Sequence, residues 1–247
     1  MPLLVNLDRL RGNLEQIWSV LARTGSRILL DQSAFPAPAL YPMLGLYLSG
    51  TVGRTRAELE QGLRHMDRDS HGRPAPDCSE AEFLDLLPWC SHLVYADLEQ
   101  WRRFDRAARE YQPSRGFLVS ANGYCAGGVP LSELPMPKPK GVSNLCLQFR
   151  DPTLWALTTA VGTLEQYYGR PPRLYQLDIG GNWPLTDPAF PLDGFEKLLC
   201  DLRDRWSVQV ALTVGDAVCR GAVEELPEGD CDLYVTEKGV TKPFTGF

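Results

Sequence analysis

The sequence predicts a single (β/α)₈ barrel, because strand-like apolar runs and amphipathic helical patterns alternate seven or eight times along its 247 residues. Such alternation is typical of parallel strands joined by right-handed helical crossovers. The chain length is also close to that of an ordinary barrel of this kind. An open doubly wound sheet is the alternative architecture.

The first half of the chain supplies most of the predicted alternation. The segment 67–78, "DRDSHGRPAPDC", is polar and interrupted by Gly and Pro, so it is a loop or a degenerate third strand. Ser79 and Glu82 fit a capping box at the start of the helix that follows. The predicted elements are a helix from Asn6 or Asp8, a strand 27–32, a helix 38–49, a strand 50–54, helices 55–66 and 79–90, a strand 92–97 and a helix 98–111.

The second half continues the pattern, with a long loop at 123–142. Asp151 is the expected N-cap of the next helix, with Pro152 in its first turn. We expect a barrel with its N-terminal helix over 1–217 and a C-terminal tail over 218–247 that has one strand, "DLYVTE". The other predicted elements are strands 115–122, 144–149, 173–181 and 208–214 and helices 151–169 and 192–206.

Composition excludes several classes of protein. The net charge of -6 and the lack of a basic run argue against nucleic acid as a partner. No apolar run has the length of a membrane span. The early Asp8 does not fit a signal peptide, so a cytoplasmic protein is expected.

The thiols and imidazoles do not suggest a metal site or a disulfide framework. The seven cysteines are scattered, without a C-x-x-C pair, so reduced thiols are expected. His65, His71 and His92 lack the spacing of metal ligands, and no metal is expected.

In a barrel the site lies at the mouth formed by the C-terminal ends of the strands. The "LDIGGNW" turn is the best candidate there, because its glycines allow backbone amides to approach a phosphate or another anion. A tight turn that needs positive φ is an equally good interpretation. The residues that follow the predicted strands are Asp31, Gln32, Ser33, Arg54, Asp97, Ser120, Asn122, Gln148, Asp178, Gly180, Gly181, Asn182, Thr213, Gly215 and Asp216.

Four side chains are candidates for catalysis. Asp31 and Asp178 are potential acids or bases, and Cys125 and Cys146 are potential nucleophiles. A nucleophilic thiol needs a nearby base, which the sequence does not place. The competing interpretations are a buried carboxylate that bonds loop amides and inert buried thiols.

Several ordered stretches resemble a known family. They are "VNLDRLRGNL", "ILLDQSAFPAPALYPML", "GTVGRTRAELEQGL", "EAEFLDLLPWCSHLVYADLEQWRRF", "LDIGGNWPLTDPAFPLDGFEKLLCDLRDRW" and "TVGDAV". Together they resemble the fold-type III pyridoxal-phosphate (PLP) decarboxylases, most closely the carboxynorspermidine decarboxylase group, over roughly residues 4–220. The resemblance implies PLP at the barrel mouth, a β-rich domain after the barrel, and a dimer whose partner helps to complete each site.

The resemblance breaks at the positions that hold the cofactor. Ser33 takes the place of the lysine that forms the Schiff base, and Asn144 that of a histidine that stacks on the ring. Thr213 takes the place of a glutamate that faces the pyridine nitrogen. The phosphate turn remains as Gly180, Gly181 and Asn182, and Gly215 and Asp216 after the next strand are the other residues expected to bind a phosphate or another ligand. Only about thirty residues follow Asp216, so we expect the β-rich domain to be absent and the tail to be its vestige.

These departures leave three functional hypotheses. Ser33 supplies no amine for a Schiff base, and the first lysine of the chain is Lys138. The first hypothesis is therefore a PLP-independent, decarboxylase-inactive relative without a cofactor. It would act as a partner or regulatory subunit of a full-length homologue or pathway enzyme, as a homo-oligomer, or as a binder of a small amine, amino acid or phosphate. The second is an enzyme with cofactor-independent chemistry on an amino-acid- or amine-derived substrate. The third is a PLP decarboxylase with a displaced lysine, Lys138 or Lys140.

Overall fold

Eight parallel strands close into a barrel in the computed structural model, which describes residues 2–66, 69–122, 127–135, 138–169, 173–229 and 231–246. The strands are β1 (Leu3–Asn6), β2 (Arg27–Asp31), β3 (Gly50–Gly53), β4 (Asp69–Gly72), β5 (His92–Tyr95), β6 (Ser114–Ser120), β7 (Val129–Pro130), β8 (Val142–Gln148), β9 (Gln176–Gly180), β10 (Gln209–Val214), β11 (Val223–Glu225), β12 (Leu233–Glu237) and β13 (Val240–Pro243). The helices are α1 (Leu7–Thr24), α2 (Tyr41–Leu44), α3 (Arg56–Met66), α4 (Glu80–Leu86), α5 (Leu98–Tyr111), α6 (Leu154–Tyr168), α7 (Leu192–Trp206) and α8 (Asp216–Cys219).

The barrel runs in the order β2-β3-β4-β5-β6-β8-β9-β10, and the β10–β2 pairing closes it. All eight strands are parallel. The predicted (β/α)₈ barrel is therefore confirmed. The polar segment 67–78 does contain the third barrel strand, β4, which is only four residues long.

Apolar side chains form two separate clusters. The large one fills the space between the barrel and its helices, and α1 contributes Leu10, Leu14 and Ile17 to it. The small one lies inside the barrel and consists of Leu29, Val52 and Ala211. Barrel interiors are usually filled by branched apolar residues, so a large share of this interior is left to polar side chains.

Two predicted helices differ from the structure. The helix expected at 38–49 is a 3₁₀ turn at Pro38–Leu40 followed by the single turn of α2, because its prolines cannot donate the hydrogen bonds of a longer helix. Helix α6 begins at Leu154, and its N-cap is Thr153 rather than Asp151. The Thr153 hydroxyl accepts the amide of Ala156 at 3.1 Å. Asp151 lies too early for this role, and its carbonyl accepts a hydrogen bond from Asn122 in a neighbouring loop.

Two predicted helix starts are confirmed. Asn6 caps α1, where its side chain accepts the amide of Arg9 at 2.9 Å. Ser79 and Glu82 form the expected capping box of α4. Both caps satisfy backbone amides that have no partner within the helix.

A second sheet lies beside the barrel, with the order β11-β1-β12-β13. Its strand β12 matches the single strand predicted in the tail, whereas β1, β11 and β13 were not predicted. Strands of three or four residues give too little alternation to be recognised. The predicted division at residue 217 falls inside α8, and it stays a prediction that the tail is a vestige of a larger domain. No helix of the described residues is long and apolar enough to cross a membrane.

Candidate functional site

The carboxyl ends of the barrel strands surround a cavity of about 790 Å³. This mouth cavity is where the sequence predicted the site. Arg73 and Arg150 also line it, and neither was singled out from the sequence. The predicted residues that line it are Asp31, Arg54, Gln148, Gly181, Asn182 and Asp216.

Asp31 is held in place at the end of β2. Its carboxylate accepts the amide and the hydroxyl of Ser33, at 3.1 and 2.7 Å, and Arg54 donates to both of its oxygens at 3.3 Å. Burial opposes ionisation, but Ser33, Arg54 and the nearby Arg73 outweigh it and lower the pKa of Asp31. A carboxylate of lowered pKa with this many donors is a weak base. Ser33 itself is exposed at the rim.

Arg73 forms the floor of the mouth cavity. It follows the last residue of β4, and its Nη2 donates to the Thr213 hydroxyl on β10 at 2.8 Å. The same nitrogen lies 3.8 Å from Asp178 Oδ2 on β9. The Arg73 side chain is 11% exposed, and its buried Nε has no hydrogen-bond partner in the described part of the chain. Arg73 was not predicted as a site residue, because the segment around it lacks a clear strand pattern.

Asp178 lies beneath Arg73 and is fully enclosed. Gln176 Nε2 donates to its Oδ1 at 2.5 Å, and His71 Nδ1 lies 3.4 Å from its Oδ2. Burial raises the energy of the charged carboxylate, but His71, Arg73 and Gln176 together overcome it and lower the pKa of Asp178. The structure therefore gives Asp178 the role of a counter-ion inside the barrel.

Two histidines continue this polar interior across the barrel. The rings of His71 on β4 and His92 on β5 are stacked with centroids 4.2 Å apart. Burial, with the proximity of His71, lowers the pKa of His92 to about 4. Both rings are almost fully buried, and neither lines the mouth cavity. The pair therefore belongs to the interior of the barrel.

The turns after β9 and β10 meet at the rim. Asn182 Nδ2 donates to Asp216 Oδ2 at 3.1 Å. Gly181 has φ +116°, and a Cβ there would lie 2.5 Å from the carbonyl oxygen of Phe149. The backbone geometry and close packing explain this glycine without a ligand. A Cβ at Gly180 would lie 2.4 Å from Gln148 Oε1, and a Cβ at Gly215 would lie 2.3 Å from the Cβ of Ala34. The predicted phosphate site in this turn stays a prediction.

The predicted thiol nucleophiles do not lie at the mouth in the part of the chain that is described. Cys146 is fully buried on β8, level with Asp178 on the adjacent strand β9. It has no route to solvent and, as an inert buried thiol, fits the competing interpretation. Cys125 lies outside the described residues.

Asn144 is also far from the mouth. It is the third residue of β8, and its Nδ2 donates to the hydroxyl of Ser114, the first residue of β6, at 2.9 Å. Asn144 therefore does not lie where a side chain could stack on a ring bound at the mouth. Gln148, at the other end of β8, is the residue of this strand that lines the cavity.

Two other strand-end candidates have local structural roles. The Asp97 carboxylate caps α5 by accepting the amide of Gln100 at 2.7 Å. Asn122 joins two loops, because it accepts the amide of Arg150 and donates to the carbonyl of Asp151. Neither interaction requires a ligand.

All five lysines lie away from the mouth cavity. Lys138 donates to the carbonyl of Arg173, which precedes β9, and Lys140 lies just before β8, so both are at the amino ends of the strands. Lys197 is exposed on α7. Lys238 and Lys242 belong to the hairpin of the second sheet.

The residues at the mouth do not fit PLP held as a Schiff base. That linkage needs an amine at the cavity, and no lysine is there. The Thr213 hydroxyl, which the resemblance sets opposite the pyridine nitrogen, is bonded to Arg73. A guanidinium in that place is a permanent hydrogen-bond donor and cannot take up the proton of a pyridinium.

Comparison with known proteins agrees with the fold. No family model matches the chain. It is 24% identical over 236 residues to the carboxynorspermidine/carboxyspermidine decarboxylase of Herminiimonas arsenicoxydans. The aligned region covers 88% of this chain and 63% of that protein. The Campylobacter jejuni protein of the same name is 22% identical over 85% of this chain and 58% of its own length. The chain thus spans about 60% of the length of these relatives.

Solved structures show the same barrel. The C. jejuni carboxynorspermidine decarboxylase in complex with norspermidine superposes with a TM-score of 0.79 at 21% identity, over 90% of this chain and 61% of that one. The diaminopimelate decarboxylase of Helicobacter pylori in complex with L-lysine gives a TM-score of 0.70 at 12% identity, over 90% and 65%. This chain therefore resembles the carboxynorspermidine decarboxylases in sequence and shares the barrel fold of the fold-type III PLP decarboxylases.

Proposed function

We propose that the barrel is a decarboxylase-inactive relative of these enzymes that binds a small molecule at its mouth without a covalent link. One observation carries the proposal. Arg73 is bonded to Thr213, the residue that the resemblance sets opposite the cofactor's pyridine nitrogen, and it lines a cavity of about 790 Å³. That volume is within the usual range of small-molecule sites. The cavity also has both polar groups and apolar walls, as such sites do.

A thermal-shift panel tests the proposal. The compounds are norspermidine, L-lysine, succinate, inorganic phosphate and PLP, each added to the purified chain over a range of concentrations. A ligand that binds the folded state raises the melting temperature as its concentration rises. At least one compound should do so. A melting temperature unchanged by all five would contradict the proposal.

Inactivity is tested separately by the release of CO₂. The chain, supplied with PLP and carboxynorspermidine, should release no more CO₂ than buffer with PLP does. The C. jejuni decarboxylase, assayed in parallel, is the positive control. PLP-dependent release by this chain at a comparable rate would restore the hypothesis of a displaced lysine.

Cofactor-independent catalysis is supported less well by the site. Asp178 and Cys146 are enclosed, and Asp31 is occupied by Arg54 and Ser33. Among the described candidates, only the Asp31 carboxylate faces the cavity. An activity that disappears in Asp31→Asn while ligand binding persists would favour an enzyme.

Association with a partner also stays a prediction. Trp155 at the start of α6 is 76% exposed, close to Pro152 of the mouth cavity, and a large exposed apolar group often marks a contact surface. Sedimentation velocity, alone and with a full-length decarboxylase homologue, should show a dimer or a complex. Trp155→Ser should weaken it, whereas Trp18→Ser on α1 should not. A monomer in every sample would refute the association.

A further inference from the structure

The charge of Arg73 is only partly compensated by the protein. Its guanidinium shares Asp178 with Gln176 and His71, which approach both carboxylate oxygens. The Thr213 hydroxyl is neutral, and Nε of Arg73 has no partner among the described residues. A largely buried cation is costly unless it is paired and hydrogen-bonded. The site therefore favours a further anionic partner for Arg73.

The other charges around the mouth cavity are unequally available. Arg54 and Asp31 are paired with each other, so neither is free for a ligand. The Arg150 side chain is exposed and has no ion-pair partner within the described ranges. Asp216 has one oxygen bonded to Asn182. Apart from the Arg54–Asp31 pair, two guanidinium groups and one carboxylate line the cavity.

The rest of the wall is suited to a carbon skeleton. Val94, Leu118 and Phe149 line the cavity together with Pro74 and Pro76. An inorganic ion would leave these surfaces in contact with water. A compound with a short hydrocarbon body would cover them and gain from their burial.

We propose that the mouth cavity binds a small organic carboxylate, whose carboxylate group is bound by Arg73 and steadied by Arg150. The planar guanidinium matches a carboxylate with two parallel hydrogen bonds. Arg73 lines the cavity, and its Nη1 makes no hydrogen bond to a described residue. The apolar walls would hold the body of the ligand. This inference rests on the proposed function, since it names the class of ligand for the same cavity.

Isothermal titration calorimetry at low ionic strength tests the inference with three probes: succinate, putrescine and inorganic phosphate. Succinate should bind, with little or no binding of putrescine and phosphate. Arg73→Gln should weaken succinate binding by at least about tenfold, the usual loss when a charge-assisted hydrogen bond is removed. Arg73→Lys should be intermediate, because it keeps the charge and loses the planar fork.

Two further variants keep the test interpretable. Arg150→Gln changes an exposed side chain, so it should fold normally and weaken succinate binding by a smaller factor. Arg64→Gln is the matched control, since Arg64 is exposed on α3 and pairs with Glu60 outside the cavity. The melting temperature of each variant verifies that it is folded.

Four other calorimetry results would contradict the inference or part of it. Binding of putrescine without succinate would overturn the carboxylate inference and leave the proposed ligand site intact. Phosphate binding as tight as succinate binding would show a general anion site and also overturn it. Succinate binding unchanged in folded Arg73→Gln and Arg150→Gln would overturn the roles of both arginines. If none of the three probes binds, the inference fails, and the proposed function fails only if the thermal-shift panel is also negative.

Discussion

At the scale of single residues, the chemistry of the mouth was only partly predictable. Asp31, Asp178 and Thr213 were selected because they end barrel strands, and the structure brings Asp178 and Thr213 together through Arg73. Arg73 itself was missed, since a strand of four residues within a polar segment has no readable period. A more general obstacle is that Arg73, Asp178 and Thr213 belong to three different strands or their ends, β4, β9 and β10. Spacing along the chain does not reveal such contacts.

The buried His92 should make the protein sensitive to acid. Its pKa is lowered to about 4 from 6.5, so the unfolded chain takes up this proton first as the pH falls. Stability should then decrease from pH 6.5 towards pH 4, by at most about 3 kcal/mol. Asp178 acts in the same direction, because its pKa is also lowered and its contribution is lost when it is protonated.

Urea unfolding at pH 7, 5.5 and 4 measures this effect. His92→Asn removes the titrating group and keeps an amide near Ser91, so its stability should fall less between pH 7 and pH 4 than that of the wild type. His65→Asn is the control, because His65 is exposed on α3. Parallel pH profiles for the wild type and His92→Asn would show that the imidazole is not responsible.

At the scale of elements, helices with caps and apolar stripes were predicted well. The starts of α1 and α4 followed from Asn6 and from Ser79 with Glu82. The start of α6 did not, because Asp151, Pro152 and Thr153 are all suitable near a helix start. Only the backbone conformation decides among them, and it places the first turn after Thr153.

Substitution of the two cap candidates separates these interpretations. Thr153→Ala removes the acceptor of the Ala156 amide and should cost about 1 kcal/mol, or a melting-temperature decrease of roughly 2–4 °C for a chain of this size. Asp151→Ala should have little effect, since its contact uses the backbone carbonyl. A larger loss in Asp151→Ala would mean that α6 starts earlier.

At the scale of the whole molecule, the barrel was the most predictable feature. The alternation of strand and helix patterns is regular enough to be recognised although the segment 67–78 gives only a weak strand signal. Closure of the barrel requires a strand there, and that strand is β4. The second sheet was not predictable, because it joins β1 at residues 3–6 to strands after residue 222. Such pairing between distant short strands leaves no periodic signal in either segment.

Under the proposed function, the mouth binds its ligand without a covalent link, because Arg73 is bonded to Thr213 and none of the five lysines lines the cavity. Borohydride reduction after incubation with PLP, followed by peptide mass spectrometry, tests this claim most directly. Any labelled lysine should be an exposed one such as Lys197, labelled no faster than in the denatured chain. Rapid, stoichiometric labelling of a single lysine in the native protein, prevented by norspermidine, would contradict the account.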